Sequence, residues 1–470
     1  MKTKIPYIGS IAVTIGAVLI MILKPLNGSL SGQGQMVLAG ILITLGLWIF
    51  KPFGLPFSAG ALFFAAYMLA VGIPVPTVFS GFTQSAVWTL VAALFFGFVI
   101  KKTGLGYRLA LLILKLFKPS YVSLTIAWAI IGIVLSVLTP SMTVRVAIVM
   151  PVALSCCELC DLKPGSKGNS LILLTAFAMA LIPGAGWLTG SLTGPVLSGS
   201  YDAVPELNGM LNFSSWFSVS FVPVEIASLL MLIGSLLFMR PKEKLPESAA
   251  KAIKETKCGK ITKDEIISGV ILVICFILFL TGNYIGVSST IVCLGATFLF
   301  FVFGIIKPGE IGTGISWDLI VFLGMALGLG SICETVGIID WLSGLIVPAL
   351  RPFSANAFLL VGVVTVFLFL WHFIDIASYF PTFVILPAIL PAIQKAYGIS
   401  PLVFAPILAL AGCAFFVSYE NHWVIMAQSV TKEKSWTPGH LLTYGIIYFV
   451  SSIIGIMTAV PIWGNMGLLF

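Results

Sequence analysis

Apolar residues run in blocks along this chain, and polar residues gather in the gaps between them. Nearly unbroken apolar runs cover 6–23, 36–50, 57–73, 85–100, 217–239, 266–281, 288–306 and 317–333. Longer blocks, interrupted by Pro, Gly and polar residues, cover 121–156, 170–200, 355–393, 401–428 and 441–463. A helix needs about 20 apolar residues to cross a hydrocarbon core of about 30 Å. The pattern therefore predicts an all-α polytopic membrane protein. The first run follows Lys2 and Lys4, is longer than a signal-peptide core and precedes no clean cleavage site, so it is expected to remain as a span.

Composition narrows the class. Hydrophobic residues make up 59% of the 470 and charged residues 9%. Soluble domains carry about 25% charged residues, so an ordinary soluble fold and a disordered chain are excluded. The eight cysteines suggest no disulfide framework. Cys156, Cys157 and Cys160 lie close together, but no second group with ligand spacing accompanies them, and they read as inert small residues near one face.

The net charge of +8 is unevenly spread. No acid precedes Glu158, while 10 of the 25 Lys and Arg do. With the N-terminus in the cytoplasm, the 121–156 and 355–393 blocks are read as hairpins that return to their own side. That places 21 basic residues inside, Lys24, Arg351 and Lys395 outside, and Arg145 within an apolar block. This is the positive-inside bias of a membrane protein, and no nucleic-acid partner is expected. It predicts eleven spans, two re-entrant hairpins and an external C-terminus. The segment 240–263 reads as a solvated cytoplasmic linker, with the surrounding lipid as the other contact.

The two sides of that linker resemble each other. Ser85-Ala86-Val87-Trp88 leads one apolar span and Ile315-Ser316-Trp317 another; each span ends near a Thr and a Gly, followed by an amphipathic stretch. A hairpin block and an interrupted span come next in both halves. The offset is about 229–236 residues throughout. The first such span runs toward the cytoplasm in one half and outward in the other, as in an inverted-topology repeat with a midplane site at broken helices. The expected organisation is scaffold spans 1–84, a first repeat 85–239 with hairpin 119–160 and broken helix 169–200, the linker 240–263, scaffold spans 264–306, and a second repeat 314–463 with hairpin 355–396 and broken helix 401–428.

Ionisable residues inside a membrane are functional candidates. Arg145 follows Pro140-Ser141-Met142-Thr143-Val144 at the expected hairpin turn. It is suited either to grip a carboxylate or to pair with an internal acid such as Glu420. The first break, Pro183-Gly184-Ala185-Gly186-Trp187-Leu188-Thr189-Gly190-Ser191, frees backbone carbonyls that suit a cation and offers the hydroxyls of Thr189 and Ser191. In the second half, Asp375 follows His372 in the hairpin, and Glu420 and His422 follow Ser418 in the break. Such carboxylates suit a coupling cation or a proton. Asp318 and Glu225 are weaker candidates, Asp318 as a helix cap.

The motif Pro140-Ser141-Met142-Thr143-Val144-Arg145 resembles the Pro-Ser-Asn-Thr-Ala-Arg of citrate, tartrate and plastid oxoglutarate/malate carriers. With the repeat and the hairpins, the chain resembles the divalent anion/sodium symporter family (solute carrier family 13 and its relatives) over nearly its whole length. The resemblance implies eleven spans, elevator-type movement, a homodimer, no cofactor beyond a coupling ion, and an anion site flanked by two sodium sites. Met142 replaces the motif Asn, and Ala377-Ser378-Tyr379 stands at the corresponding place in the second hairpin, where a Pro381-Thr382 pair follows. The implied substrate contacts are Ser141, Thr143, Arg145, Thr189, Ser191, Ser378, Tyr379 and Ser418. The expected coupling-ion contacts, the acids among them read from the sequence itself, are Ser141, Gly184, Gly186, Asp375, Ala377 and Glu420, for Na⁺ or, given the acids, H⁺.

The leading expectation is a secondary transporter of small organic anions, di- or tricarboxylates, in a bacterial-type inner membrane. It would work by ion-coupled symport or by exchange, and would not be an enzyme. A relative carrying another anion such as sulfate is the alternative. An intramembrane hydrolase pairing Ser141 or Ser191 with His372 or His422 is a remote one.

Overall fold

The computed structural model describes residues 5–246, 253–256, 259–375, 379–431 and 435–469. Among them the chain is helical throughout, with no strand. Ten helices are long and apolar enough to cross a membrane. They include both arms of the first hairpin, Tyr121–Leu138 and Met142–Leu159, at 18 residues each. Such an arm is about 27 Å long at about 1.5 Å per residue, so length does not separate a hairpin from two spans. Burial does. The turn residues Thr139 and Ser141 are 0% and 2% exposed, whereas a turn between full spans would face water. Two scaffold helices are shorter than their apolar runs. Phe57–Ala70 stops before Gly72, and Ser289–Val302 before Gly304, each glycine at positive φ.

The first interrupted span breaks at proline and glycine, and the second at Gly412. Lys167–Leu181 ends at Pro183, two short 3₁₀ turns follow, and Thr193–Asp202 resumes. Phe404–Ala411 gives way to an irregular stretch before His422–Thr431. Irregular backbone at this depth is tolerated when protein surrounds it. Residues 168–181 are all buried, as expected of a helix that is apolar all round.

Packing joins the halves by matched elements. Ser85–Thr103 packs on Ser289–Val302, and Trp317–Leu327 on Phe57–Ala70. Met142–Leu159 packs on His422–Thr431, and Thr193–Asp202 on Phe380–Tyr397. The two longest helices, Phe213–Met239 and Pro438–Asn465, lie against each other. At this seam Pro223 has no N–H to give, which frees the Val219 carbonyl. The Trp463 indole Nε1 donates to that carbonyl at 3.2 Å. A side chain at Gly455 would strike the Pro223 carbonyl.

The end of the linker is bolted down. Arg108, on the amphipathic helix Leu105–Lys115, donates to Glu265 at 2.7 Å and to the carbonyls of Gly259 and Lys260 at 2.8 and 3.0 Å. Thr262 and Glu265 form a capping box that starts the next span.

Candidate functional site

The first hairpin turns through Thr139 and Pro140 into Ser141, which caps Met142–Leu159. Ser141 Oγ accepts the Val144 amide at 3.3 Å, and Thr139 Oγ1 accepts the Ser141 amide at 3.2 Å. Gly97 lets the neighbouring span lie flush on this turn; an added Cβ would come within 2.8 Å of Val144 and 3.0 Å of Ser141.

Arg145 is wholly enclosed. Its Nη1 donates to the Thr139 carbonyl at 3.1 Å and to the Gly190 carbonyl at 2.5 Å. The guanidinium thus ties the hairpin turn to the first break. Nε and Nη2 have no hydrogen-bond partner among the described residues. The alternative pairing with Glu420 is overturned. The ion pairs Lys102–Glu310 and Arg108–Glu265 involve neither residue. Glu420 instead accepts the amides of Phe416 and Val417 at 2.6 and 3.3 Å, closing the irregular stretch on itself. Asn421 continues that job, holding the Ala414 carbonyl at 2.9 Å and the Trp423 amide at 2.9 Å.

In the second hairpin, Asp375 Oδ2 accepts the Thr382 amide at 3.1 Å and its hydroxyl at 2.5 Å. Tyr379 sits at φ +62° and donates its hydroxyl to Leu368 at 2.8 Å, within the hairpin. That hydroxyl is spent on the fold and does not reach the cavity described next. The proposed contacts Ala377 and Ser378 lie outside the described residues.

A cavity of about 670 Å³ reaches the first hairpin turn. Ser141, Thr143, Val144, Leu192 and His422 line it together with Lys101, Lys102, Glu310 and Asp318. Of the expected substrate contacts, this cavity gathers Ser141 and Thr143. Arg145, Tyr379 and Ser418 do not line it. Thr189 faces a different space of about 220 Å³, shared with Asp202, Asn212 and Thr290. Ser191 Oγ is buried and has no hydrogen-bond partner among the described residues. Gly184 and Gly186 serve packing: a Cβ on Gly184 would meet Arg145 at 2.7 Å, and one on Gly186 would lie 3.3 Å from Glu225.

Lys102, Glu310 and Trp423 enter without having been singled out as candidates, and Asp318 takes a different helix from the one expected. Lys102 donates to Glu310 at 2.6 Å and to the Ile305 carbonyl at 2.8 Å. The Lys102 ammonium and the Lys307 amide hold the exposed Glu310 carboxyl below its ordinary range. Asp318 caps a helix other than its own: it accepts the Ser58 amide at 2.7 Å and the Phe57 amide at 3.3 Å at the start of Phe57–Ala70. Its own helix is capped by Ser316. Trp423 donates its indole N–H to Thr143 Oγ1 at 3.1 Å across the two halves. Trp423 carried no signal, because its partner lies 280 residues away. Among the described residues, no group of His, Cys, Asp and Glu could hold a metal ion.

An all-helical membrane body, two broken spans and a cavity reaching a buried hairpin turn have the build of a membrane carrier. The chain belongs to the divalent anion/sodium symporter family: the family described as the sodium:sulfate symporter transmembrane region matches residues 7–469. Spinach chloroplastic dicarboxylate transporter 2 is 25% identical over 381 residues, covering 79% of this chain and 66% of that protein, just under two thirds of its length. The putative malate transporter YflS of Bacillus subtilis is 23% identical, covering 73% of each. The L-tartrate/succinate antiporter of Shigella sonnei is 23% identical, covering 78% of this chain and 74% of the relative. Among solved structures, the Alcanivorax borkumensis YdaH transporter shares the fold at a TM-score of 0.56 and 13% identity, covering 84% of this chain and 88% of that one.

Proposed function

We propose that this protein is a secondary active transporter of small organic dianions, with dicarboxylates of the malate and succinate kind as substrates. The observation that carries this reading is the cavity lined by Ser141 and Thr143 together with Lys101 and Lys102. It includes the N-terminal turn of the Met142–Leu159 helix, where the helix dipole and hydroxyl donors favour an anion. The names of the dicarboxylate, malate and tartrate/succinate relatives support the substrate class. With the positive-inside orientation, the cavity opens to the cytoplasm, the N-terminus is cytoplasmic and the C-terminus external, in a bacterial-type inner membrane. The matched halves act as an inverted repeat, and the molecule works as a homodimer. The test is uptake of labelled succinate into proteoliposomes, with sulfate and malate as competitors. Competition by sulfate but not by malate would overturn the substrate class.

Exchange is favoured over sodium symport by one observation. Arg145 Nη1 occupies the space between the Thr139 and Gly190 carbonyls, where hairpin and break would otherwise offer oxygens to a free cation. Uptake should then depend on internal dicarboxylate and not on a sodium gradient. Uptake into empty vesicles driven by sodium, or by a pH gradient, would overturn exchange.

A further inference from the structure

The hydroxyls of Ser141 and Thr143 in the cavity lining share a feature of hydrogen-bond direction. Ser141 Oγ accepts the Val144 amide at 3.3 Å. Thr143 Oγ1 accepts the Trp423 indole at 3.1 Å. An amide and an indole N–H can only donate, so each hydroxyl oxygen is committed as an acceptor on the protein side. Neither hydroxyl donates to any described residue. Their protons remain for whatever the cavity receives. For Ser141 the donor is local, three residues along its own helix. For Thr143 the donor comes from the other half of the molecule. Trp423 is 4% exposed, and its ring packs against His422 with centroids 4.1 Å apart.

We propose that Trp423 is a positioning residue for substrate. By occupying a lone pair of Thr143 Oγ1, it turns that hydroxyl into a donor facing the cavity, so that Ser141 and Thr143 together present two O–H donors to one carboxylate. The inference rests on the reading that the cavity takes an organic anion at this hairpin. It also assigns a use to the contact between Met142–Leu159 and His422–Thr431: the donor pair is complete only while the second break stays docked on the first hairpin.

The experiment is succinate exchange in proteoliposomes of the full chain, read as KM and Vmax separately. Thr143→Val should raise KM about tenfold or more, the scale of a hydrogen bond to a charged group, and Thr143→Ser should largely restore it. Trp423→Phe should raise KM about threefold to tenfold with Vmax little changed. The decisive arm is the double variant: in the Thr143→Val background Trp423→Phe should change KM no further. Independent, multiplying effects would show that Trp423 acts only through packing and would overturn the proposal. If Trp423→Phe folds poorly, a benzothienyl analogue of tryptophan at position 423 keeps the ring shape and removes only the N–H. Unchanged KM with that analogue, alongside a raised KM for Thr143→Val, also overturns it. Unchanged KM in Thr143→Val would instead remove the placement of the anion at this hairpin, and the inference with it.

Discussion

The two hairpin turns solve one problem with opposite charges. Both bring backbone into the membrane interior. The first turn is held by a cation, Arg145, which collects carbonyl oxygens from Thr139 and from Gly190, 45 residues on. Beside the second stands an anion, Asp375, which accepts from the amide and hydroxyl of Thr382, seven residues on. A guanidinium seeks the oxygen end of the peptide, and here it joins two segments. A carboxylate seeks the N–H end, and here it starts a helix. The first turn is thus fastened to its own break, whereas the bonds of Asp375 to Thr382 stay within one hairpin.

That comparison orders the expected effects. Arg145→Met should be the most damaging, because it removes the tie and leaves two carbonyls buried without a donor. A loss of about 2–4 kcal/mol follows from two such bonds, visible as a lower thermal midpoint in detergent and reduced recovery of monodisperse protein. Asp375→Ala should cost about 1–2 kcal/mol, the scale of a lost cap, and Asp375→Asn less. If Asp375→Ala proved the more destabilising, the local role given to Asp375 would be wrong. Glu420→Gln keeps an acceptor for the Phe416 amide and should shift the midpoint less than Glu420→Ala in the same assay.

The smallest effect belongs to Glu310. Its carboxyl is held below the ordinary range by Lys102, so its contribution is present above the unfolded-state pKa and is lost as pH falls through the lowered folded value. The melting curves of the wild type and Glu310→Gln should therefore differ most near about pH 7 and converge toward about pH 3. A gap that widened on acidification would reverse the assignment.

Much of the architecture was legible in the sequence because it is written in elementary terms. Apolar run length gives the spans, Gly and Pro mark the first break, and Gly412 starts the second. The chemistry was less legible. Arg145 and Glu420 invited pairing because charge is what a sequence displays. Their partners turned out to be backbone carbonyls and amides, which every residue carries and no pattern marks. Tyr379 and Asp375 have hydroxyl and carboxylate chemistry suited to a ligand, yet the Tyr379 hydroxyl bonds to Leu368 and the Asp375 carboxylate to Thr382, both within the hairpin. Thr143 was visible as a motif residue, but the donor that orients it comes from a distant segment.

The helix Lys167–Leu181 carries a consequence for how the protein is made. It is enclosed on every side, and several of its neighbours come from the far end of the chain. Phe177 packs against Phe415 and Trp436, Thr175 accepts from Tyr444 at 3.0 Å, and Ser170 meets His440 at 2.7 Å, 270 residues later. At about 5–20 residues per second of synthesis, those neighbours arrive about 14–54 s after it. Through that interval a helix buried from residue 168 to 181 in the finished protein must stand without them, and its own apolar surface makes lipid a tolerable substitute.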